Sequence, residues 1–198
     1  MDDALLEVLV RRENCVPHLH LPLQAGSGEV LRQMNRQYTL DAFNEMIDRV
    51  NAALDRPAIS TDIIVGFPGE TDALFEQTLA TARTSGFCKI HAFPFSPRPG
   101  TAAARWGKRF VHNQTVKDRM AELRKLEAEL APAYNRQFVG ETTRVLVEQA
   151  GGVGGNGRGR STADPVHGRS DRYFEVYFDA PDARAGDLVE VQIERVTP

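Results

Sequence analysis

Between residues 39 and 93 the chain moves between two hydrophobic rhythms. Leu40, Phe43, Ile47, Val50 and Leu54 recur at helical spacing, a stripe that faces a core, and Thr39 stands where a capping hydroxyl belongs. Arg56-Pro57 ends that run. Ile59, Ile63, Ile64 and Val65 then make a β-branched block, the composition of a strand covered on both faces in a parallel sheet. Gly66-Phe67-Pro68-Gly69 stops it, because Pro68 lacks an N–H and glycine tolerates backbone angles that other residues avoid. Thr71 caps a second helix with Leu74, Phe75, Thr78, Leu79 and Ala82 on one face, and residues 87–93 beyond Gly86 form a third strand. Upstream, residues 4–12 predict a short amphipathic helix. Residues 16–23 are extended, with Val16, His18, His20 and Pro22 on one side and Leu19, Leu21 and Leu23 on the other. The turn Gln24-Ala25-Gly26-Ser27-Gly28 leads, with Ser27 as cap, into a short helix through Val30, Leu31 and Met34. Strand, helix, strand, helix, strand implies βαβ crossovers in an α/β parallel sheet, whose ligands bind at the C-terminal ends of the strands.

Past the third strand, Pro94, Pro97 and Pro99 forbid regular structure and suit an active-site loop. A long helix follows from about Asn113 to Arg136, with Val116, Met120, Leu123, Leu126 and Leu130 inward, and Pro132 is expected to kink or end it. Composition changes at Gly140, and a domain boundary is placed near residue 138. Residues 142–148, 172–178 and 188–194 read as three strands of a small all-β module that can close as a five-stranded barrel. Residues 151–160 are too glycine-rich to order themselves.

An apolar share of 41% over 198 residues supports a core, and no run is long enough to span a bilayer. The N-terminus carries Asp2, Asp3 and Glu7 and no basic region, so no secretory signal is expected. Cys15 and Cys88 stand far apart, which fits a reducing cytoplasm, and two cysteines cannot supply a three- or four-thiolate metal site. The net charge of −3 gives no global sign of nucleic-acid binding, but its distribution is uneven. From 105 to 125 stand Arg105, Lys108, Arg109, Lys117, Arg119, Arg124 and Lys125 against Asp118 and Glu122, either a phosphate-binding patch or a solvated helix face. The β module itself is acidic, so this patch and Arg158, Arg160 and Arg169 are its candidate phosphate contacts.

Four stretches occur in order at suitable intervals: His18 to Ser27, Met34-Asn35-Arg36-Gln37-Tyr38-Thr39, Asp62 to Thr71, and His91 to Thr101. Together they resemble the C-terminal half of the radical-SAM methylthiotransferases, and the β module resembles their TRAM domain. The expected architecture is a partial parallel (β/α) radical-SAM barrel over residues 1–137, followed by an OB-like TRAM barrel over 138–198. The His-Leu-His-Leu-Pro start and the His91 strand are most similar to the branch that methylthiolates threonylcarbamoyladenosine beside the tRNA anticodon. The branches acting on isopentenyladenosine or on a ribosomal protein are the alternatives within the family. Ala25 departs from the family's usual serine.

The resemblance implies S-adenosylmethionine (SAM) and [4Fe–4S] clusters as cofactors, and the tRNA anticodon stem-loop and an N-terminal half as partners. No residue of this chain is assigned as a metal ligand. The cluster motif C-x3-C-x2-C is absent, so the chain alone is expected not to perform the reaction; a non-catalytic tRNA-binding fragment or paralogue is the competing reading. By resemblance Gln24, Ser27 and Arg36 lie near SAM, with Arg36 suited to its carboxylate. The backbone of Val65 and Gly66 is expected at the adenine. Asp62, His91 and Phe93 complete the SAM set, though His91 suits a satisfied core position equally, Phe93 and Phe95 suit packing, and Asp62 and Glu70 suit structural roles. Arg98 on the proline-rich loop, with Arg105, Lys108, Arg109, Arg158 and Arg160, is the expected substrate or RNA contact set. His18 and His20 share a strand face without a third metal ligand.

Overall fold

The central β-branched block is strand β2 (Ala58–Val65) in the computed structural model, which describes residues 2–149 and 165–197. It lies between β1 (His18–His20) and β3 (Lys89–Pro94), parallel to both, with His18 opposite Ala58 and Asp62 opposite His91. Helices α2 (Gly28–Gln33) and α3 (Leu40–Ala53) connect β1 to β2, and α4 (Asp72–Ser85) connects β2 to β3. α1 (Asp3–Arg11) precedes them, capped by the Asp2 carboxylate, and pairs with α3 through Asp3 and Arg49.

The caps expected at Thr39 and Thr71 form, each hydroxyl accepting the N–H three residues on, while Gly86 ends α4 in the left-handed conformation. Ser27 does not cap α2; its hydroxyl is buried and has no partner among the described residues. Phe43, Ile47 and Val50 from α3, Phe75, Leu79 and Ala82 from α4, and Met120, Leu123 and Leu126 from α5 (Asn113–Asn135) bury Ile59, Ile63, Val65 and Ile90. All three helices lie on one face of the sheet. Along β2 that face takes the odd-numbered residues and leaves Ser60 and Asp62 on the other.

The regular part of β1 is shorter than the extended stretch 16–23, because Pro22 lacks an N–H for the ladder. The chain nevertheless follows β2 through Leu21 N–H to Ser60 O and Gln24 N–H to Asp62 O. Three steps along residues 21–24 match two along β2, and the Thr61 hydroxyl fills the gap, donating to Leu21 O and accepting from Leu23 N–H. β3 starts two residues later than expected and runs to Pro94. Pro132 does not end α5, which continues to Asn135 because Tyr134 buries beside Ala58 and donates its hydroxyl to Arg56 O.

After Phe138 comes an antiparallel sheet of β4 (Thr142–Gln149), β5 (Val166–Ser170), β6 (Glu175–Phe178) and β7 (Leu188–Gln192), in the order β6-β5-β4-β7. Among the described residues it has four strands rather than three, and the extra one is β5. Among the described residues its outer strands, β6 and β7, do not pair, so the expected closed barrel is an open sheet there. The sheet is fastened at the N-terminal end of β2. Arg56 grips Glu141, Arg172 donates to the carbonyl oxygens of Asp55 and Arg56, and the Tyr173 ring stacks on His18 at 3.8 Å. Among the described residues no helix is long and apolar enough to cross a membrane.

Candidate functional site

Three turns converge at the C-terminal ends of the parallel strands: residues 24–28, 66–70 and 95–101. At the first, Gln24 adopts φ +63° and its side-chain oxygen accepts from Arg36 Nη2 at 2.9 Å. Both side chains reach the surface, and a guanidinium there suits a carboxylate. Gly26 ties the turn to α4, its N–H donating to Thr78 and its carbonyl accepting from Thr81. Ser27 Oγ lies behind them, buried and without a partner among the described residues.

The second turn is tightly packed. Gly66 has φ +78°, and a Cβ there would stand 2.5 Å from Val116 Cγ2, so only glycine fits. The Gly66 N–H donates to Glu70 Oε2 at 2.8 Å, and Arg119 Nη1 reaches the same oxygen at 2.8 Å. Arg119 also pairs with Asp72 at 2.6 Å and lies over the Phe75 ring. Burial pushes the Glu70 carboxyl above its ordinary range, against the opposing pull of the Gly66 N–H and Arg119. Val65 O accepts from Phe95 N–H, so two of the backbone groups expected at an adenine are already engaged inside the protein.

Below the turns, the face of the sheet away from the helices carries polar residues. Ser60 Oγ lies 3.0 Å from His18 Nε2 and 3.1 Å from His20 Nδ1. Asp62 Oδ2 is 3.4 Å from His20 Nε2, and the His20 and His91 rings are 5.9 Å apart. Burial lowers the His18 pKa, with His20, Arg169 and His91 adding to the effect. Phe93 is half exposed, whereas Phe95 packs edge-on against Phe67 and Phe110. Asp62, His91 and Phe93 are thus placed toward one face, and Gln24 and Arg36 meet at the adjoining turn. Ser60 and Tyr173 are additions to the sequence-based set. The polar run Ser60-Thr61-Asp62 inside a β-branched strand is the available signal for Ser60, and Tyr173 has none.

The basic residues divide. Arg98, Arg105 and Lys108 are exposed, while Arg109 is exposed but bound to Gln33 and lies over the Trp106 ring. Arg119 is buried in the ion pair with Glu70, and Arg169 lies on β5 between Glu148 and Glu175, so neither is a free phosphate contact. Arg158 and Arg160 lie outside the described residues.

A donor pair such as Gln24 and Arg36, with the orphaned Ser27 hydroxyl behind it, fits a ligand carrying a carboxylate and hydroxyl groups. An iron–sulfur cluster does not fit these residues. Cys15 and Cys88 are the chain's two cysteines, and burial holds the Cys88 thiol up at about 12, away from the thiolate that a metal needs. Among the described residues no three His, Cys, Asp or Glu side chains gather to hold a metal.

Residues 1–82 match the radical SAM superfamily. Over 192 residues, 97% of its length, the chain is 39% identical to the tRNA-2-methylthio-N(6)-dimethylallyladenosine synthase of Geobacillus thermodenitrificans, of which it covers 35%. The synthase of the same name from Frankia alni is 40% identical over 99% of the chain, which covers 39% of it. The chain therefore spans between a third and two-fifths of the length of these relatives. It resembles the solved coproporphyrinogen III oxidase of Escherichia coli, a radical SAM enzyme, with a TM-score of 0.54 over 65% of this chain and 30% of that one. At 20% identity that likeness shows the fold alone. The chain carries a radical SAM match in its first 82 residues and is homologous to tRNA methylthiotransferases.

Proposed function

We propose that the chain works as part of a radical SAM tRNA methylthiotransferase that modifies a dimethylallyladenosine. The observation that carries this is 39–40% identity, over 97–99% of the chain, to synthases of that name. Those names favour the isopentenyladenosine branch over the threonylcarbamoyladenosine branch suggested by the His-Leu-His-Leu-Pro stretch.

In this reading residues 1–137 form the C-terminal part of the barrel and 138–198 a TRAM-like β domain, acting on tRNA in the cytoplasm. SAM, with a reduced iron–sulfur cluster, supplies the radical chemistry and the methyl group when bound. Arg36, oriented by Gln24, holds the SAM carboxylate; Ser27 serves its polar groups, and Asp62, His91 and Phe93 line the face below. The Val65–Gly66 turn, whose N–H and carbonyl are held by Glu70 and Phe95, offers the adenine an edge to pack on rather than free hydrogen-bonding groups, and an edge already held in place reduces the cost of ordering on binding. Arg98, Arg105 and Lys108 are free to meet phosphates, with Arg109, Arg158 and Arg160 as the remaining members of the RNA set.

The test is a chimera in which the Geobacillus synthase carries this chain in place of its matching stretch, expressed in a strain lacking that modification. Mass spectrometry of tRNA nucleosides should show 2-methylthio-dimethylallyladenosine. Appearance of the threonylcarbamoyl product would move the chain to the other branch, and no product from a folded, SAM-binding chimera would overturn both. The cysteine count favours a second reading, a non-catalytic tRNA binder; tRNA binding by the 198-residue chain without SAM binding would support it.

A further inference from the structure

Ser60 has one hydroxyl proton and two imidazole neighbours. Its Oγ, on a residue 1% exposed, can donate to only one of His18 Nε2 and His20 Nδ1, and must accept from the other. Asp62 decides which. A carboxylate 3.4 Å from His20 Nε2 favours the proton on that nitrogen and disfavours a bare lone pair there. Neutral His20 then has a bare Nδ1, which accepts from Ser60 Oγ–H, and Ser60 accepts in turn from His18 Nε2–H. Burial, to which the Tyr173 ring stacked parallel to within 3° contributes cover, disfavours a second proton on His18, and the positive charge of Arg169 from β5 adds to that, as would any on His20 or His91. Arg169 is itself held by Glu148 and Glu175.

We propose that His18, Ser60, His20 and Asp62 form a directional proton relay between the Tyr173-capped end of the sheet and the ligand-binding face at Asp62. A proton arriving from water at His18 Nδ1 releases the Nε2 proton to Ser60. Ser60 passes its own to His20 Nδ1, and His20, turning to close its 3.4 Å contact, passes its Nε2 proton to Asp62. One proton crosses, no electrons move, every donor reverses, and Asp62 holds the proton for a ligand. A proton taken from the ligand side runs the same steps backward and restores the first polarity. The ligand this serves rests on the radical SAM reading; the two hydrogen bonds at Ser60 and the 3.4 Å contact to Asp62 do not.

Imidazole nitrogen NMR on the 198-residue chain, labelled in its five histidines, tests the polarity directly. At neutral pH His18 and His20 should both carry the proton on Nε2. Asp62→Asn removes the charge that sets the direction, so the tautomer mixture should change at His20 and, through Ser60, at His18. In a Ser60→Ala background the same substitution should change His20 alone. Nδ1–H as the main form of His20 would overturn the relay, as would a His18 signal indifferent to Asp62→Asn while Ser60 is present. The first result needs no variant, so a substitution that prevents folding does not remove the test. Loss of SAM or tRNA binding would not alter these tautomers, so the relay and the proposed function fail separately.

Discussion

Replacing Arg119 with methionine would expose how the Gly66 turn is held. The Glu70 and Arg119 side chains are 1% and 6% exposed, and they meet at 2.8 Å. Methionine keeps the length of the side chain and the packing over Phe75 but leaves the Glu70 carboxylate with the Gly66 N–H alone. Breaking a buried pair from one side costs about 3–5 kcal/mol, a large part of the roughly 5–15 kcal/mol that holds a typical domain folded. In urea, with a slope of about 2 kcal/mol per molar, the unfolding midpoint of Arg119→Met should fall by about 1.5–2.5 M at neutral pH. The sign of its pH dependence is fixed. Glu70 already has a folded-state pKa above its ordinary 4.5, and losing Arg119 raises it further. The folded state then holds the proton more tightly than the unfolded state, so stability falls as pH rises from the ordinary value through the raised one. The deficit should therefore be largest near neutrality and shrink toward about pH 4.5, where the carboxyl is neutral in the folded protein. Adding Glu70→Gln should recover much of the loss at neutral pH. A deficit below about 1 kcal/mol, or one unchanged across that range, would refute the argument that the carboxylate is buried and dependent on Arg119.

Gly66→Ala should lower thermal stability by at least about 1–2 kcal/mol from its positive φ alone. Adding Val116→Ala should relieve the clash but not that strain, and full rescue by the double variant would show the backbone angle to be harmless. Tyr173→Ala should open His18, already partly exposed, to more water and raise its pKa toward 6.5, read by NMR titration; an unmoved value would mean that the stacked ring does not cause the burial. In salt titrations of tRNA binding, Arg105→Ala and Lys108→Ala should each reduce the log–log slope by about 1, whereas substitutions at Arg169 should leave it unchanged. Equal effects at all three would return Arg169 to the phosphate-binding set.

The parallel sheet was legible because its signals are local. A β-branched block, two capping threonines and a helical stripe each report on neighbours within a few residues. β5 was not, for an equally physical reason. Val166-His167-Gly168-Arg169-Ser170 has a glycine at its centre and little apolar patterning, yet the position requires glycine. A Cβ at Gly168 would stand 2.6 Å from Leu146 O, on a strand that precedes it by more than twenty residues. The span of the long helix could be read to within a residue, and at Pro132 the packing of Tyr134 and Phe138 around Ala58 outweighs the local preference to stop. Within the site, the alternation that puts His18 and His20 on one face could be read directly, and the Asp62 and His91 strands were placed correctly beside them. That Arg119 would leave the basic patch for Glu70, 49 residues away, could not. A charge seen in one dimension has no partner until the fold supplies one.

The fastening of the antiparallel sheet at Asp55, Arg56 and His18 sets a length scale. Ala58 and Val65 are the two ends of β2, and at about 3.3 Å per residue they lie about 23 Å apart. The anchor is at one end of that span and the three converging turns at the other. A nucleoside-sized molecule is too short to touch both ends at once, so a single ligand that bridges them has to be a longer one, such as a stretch of polymer.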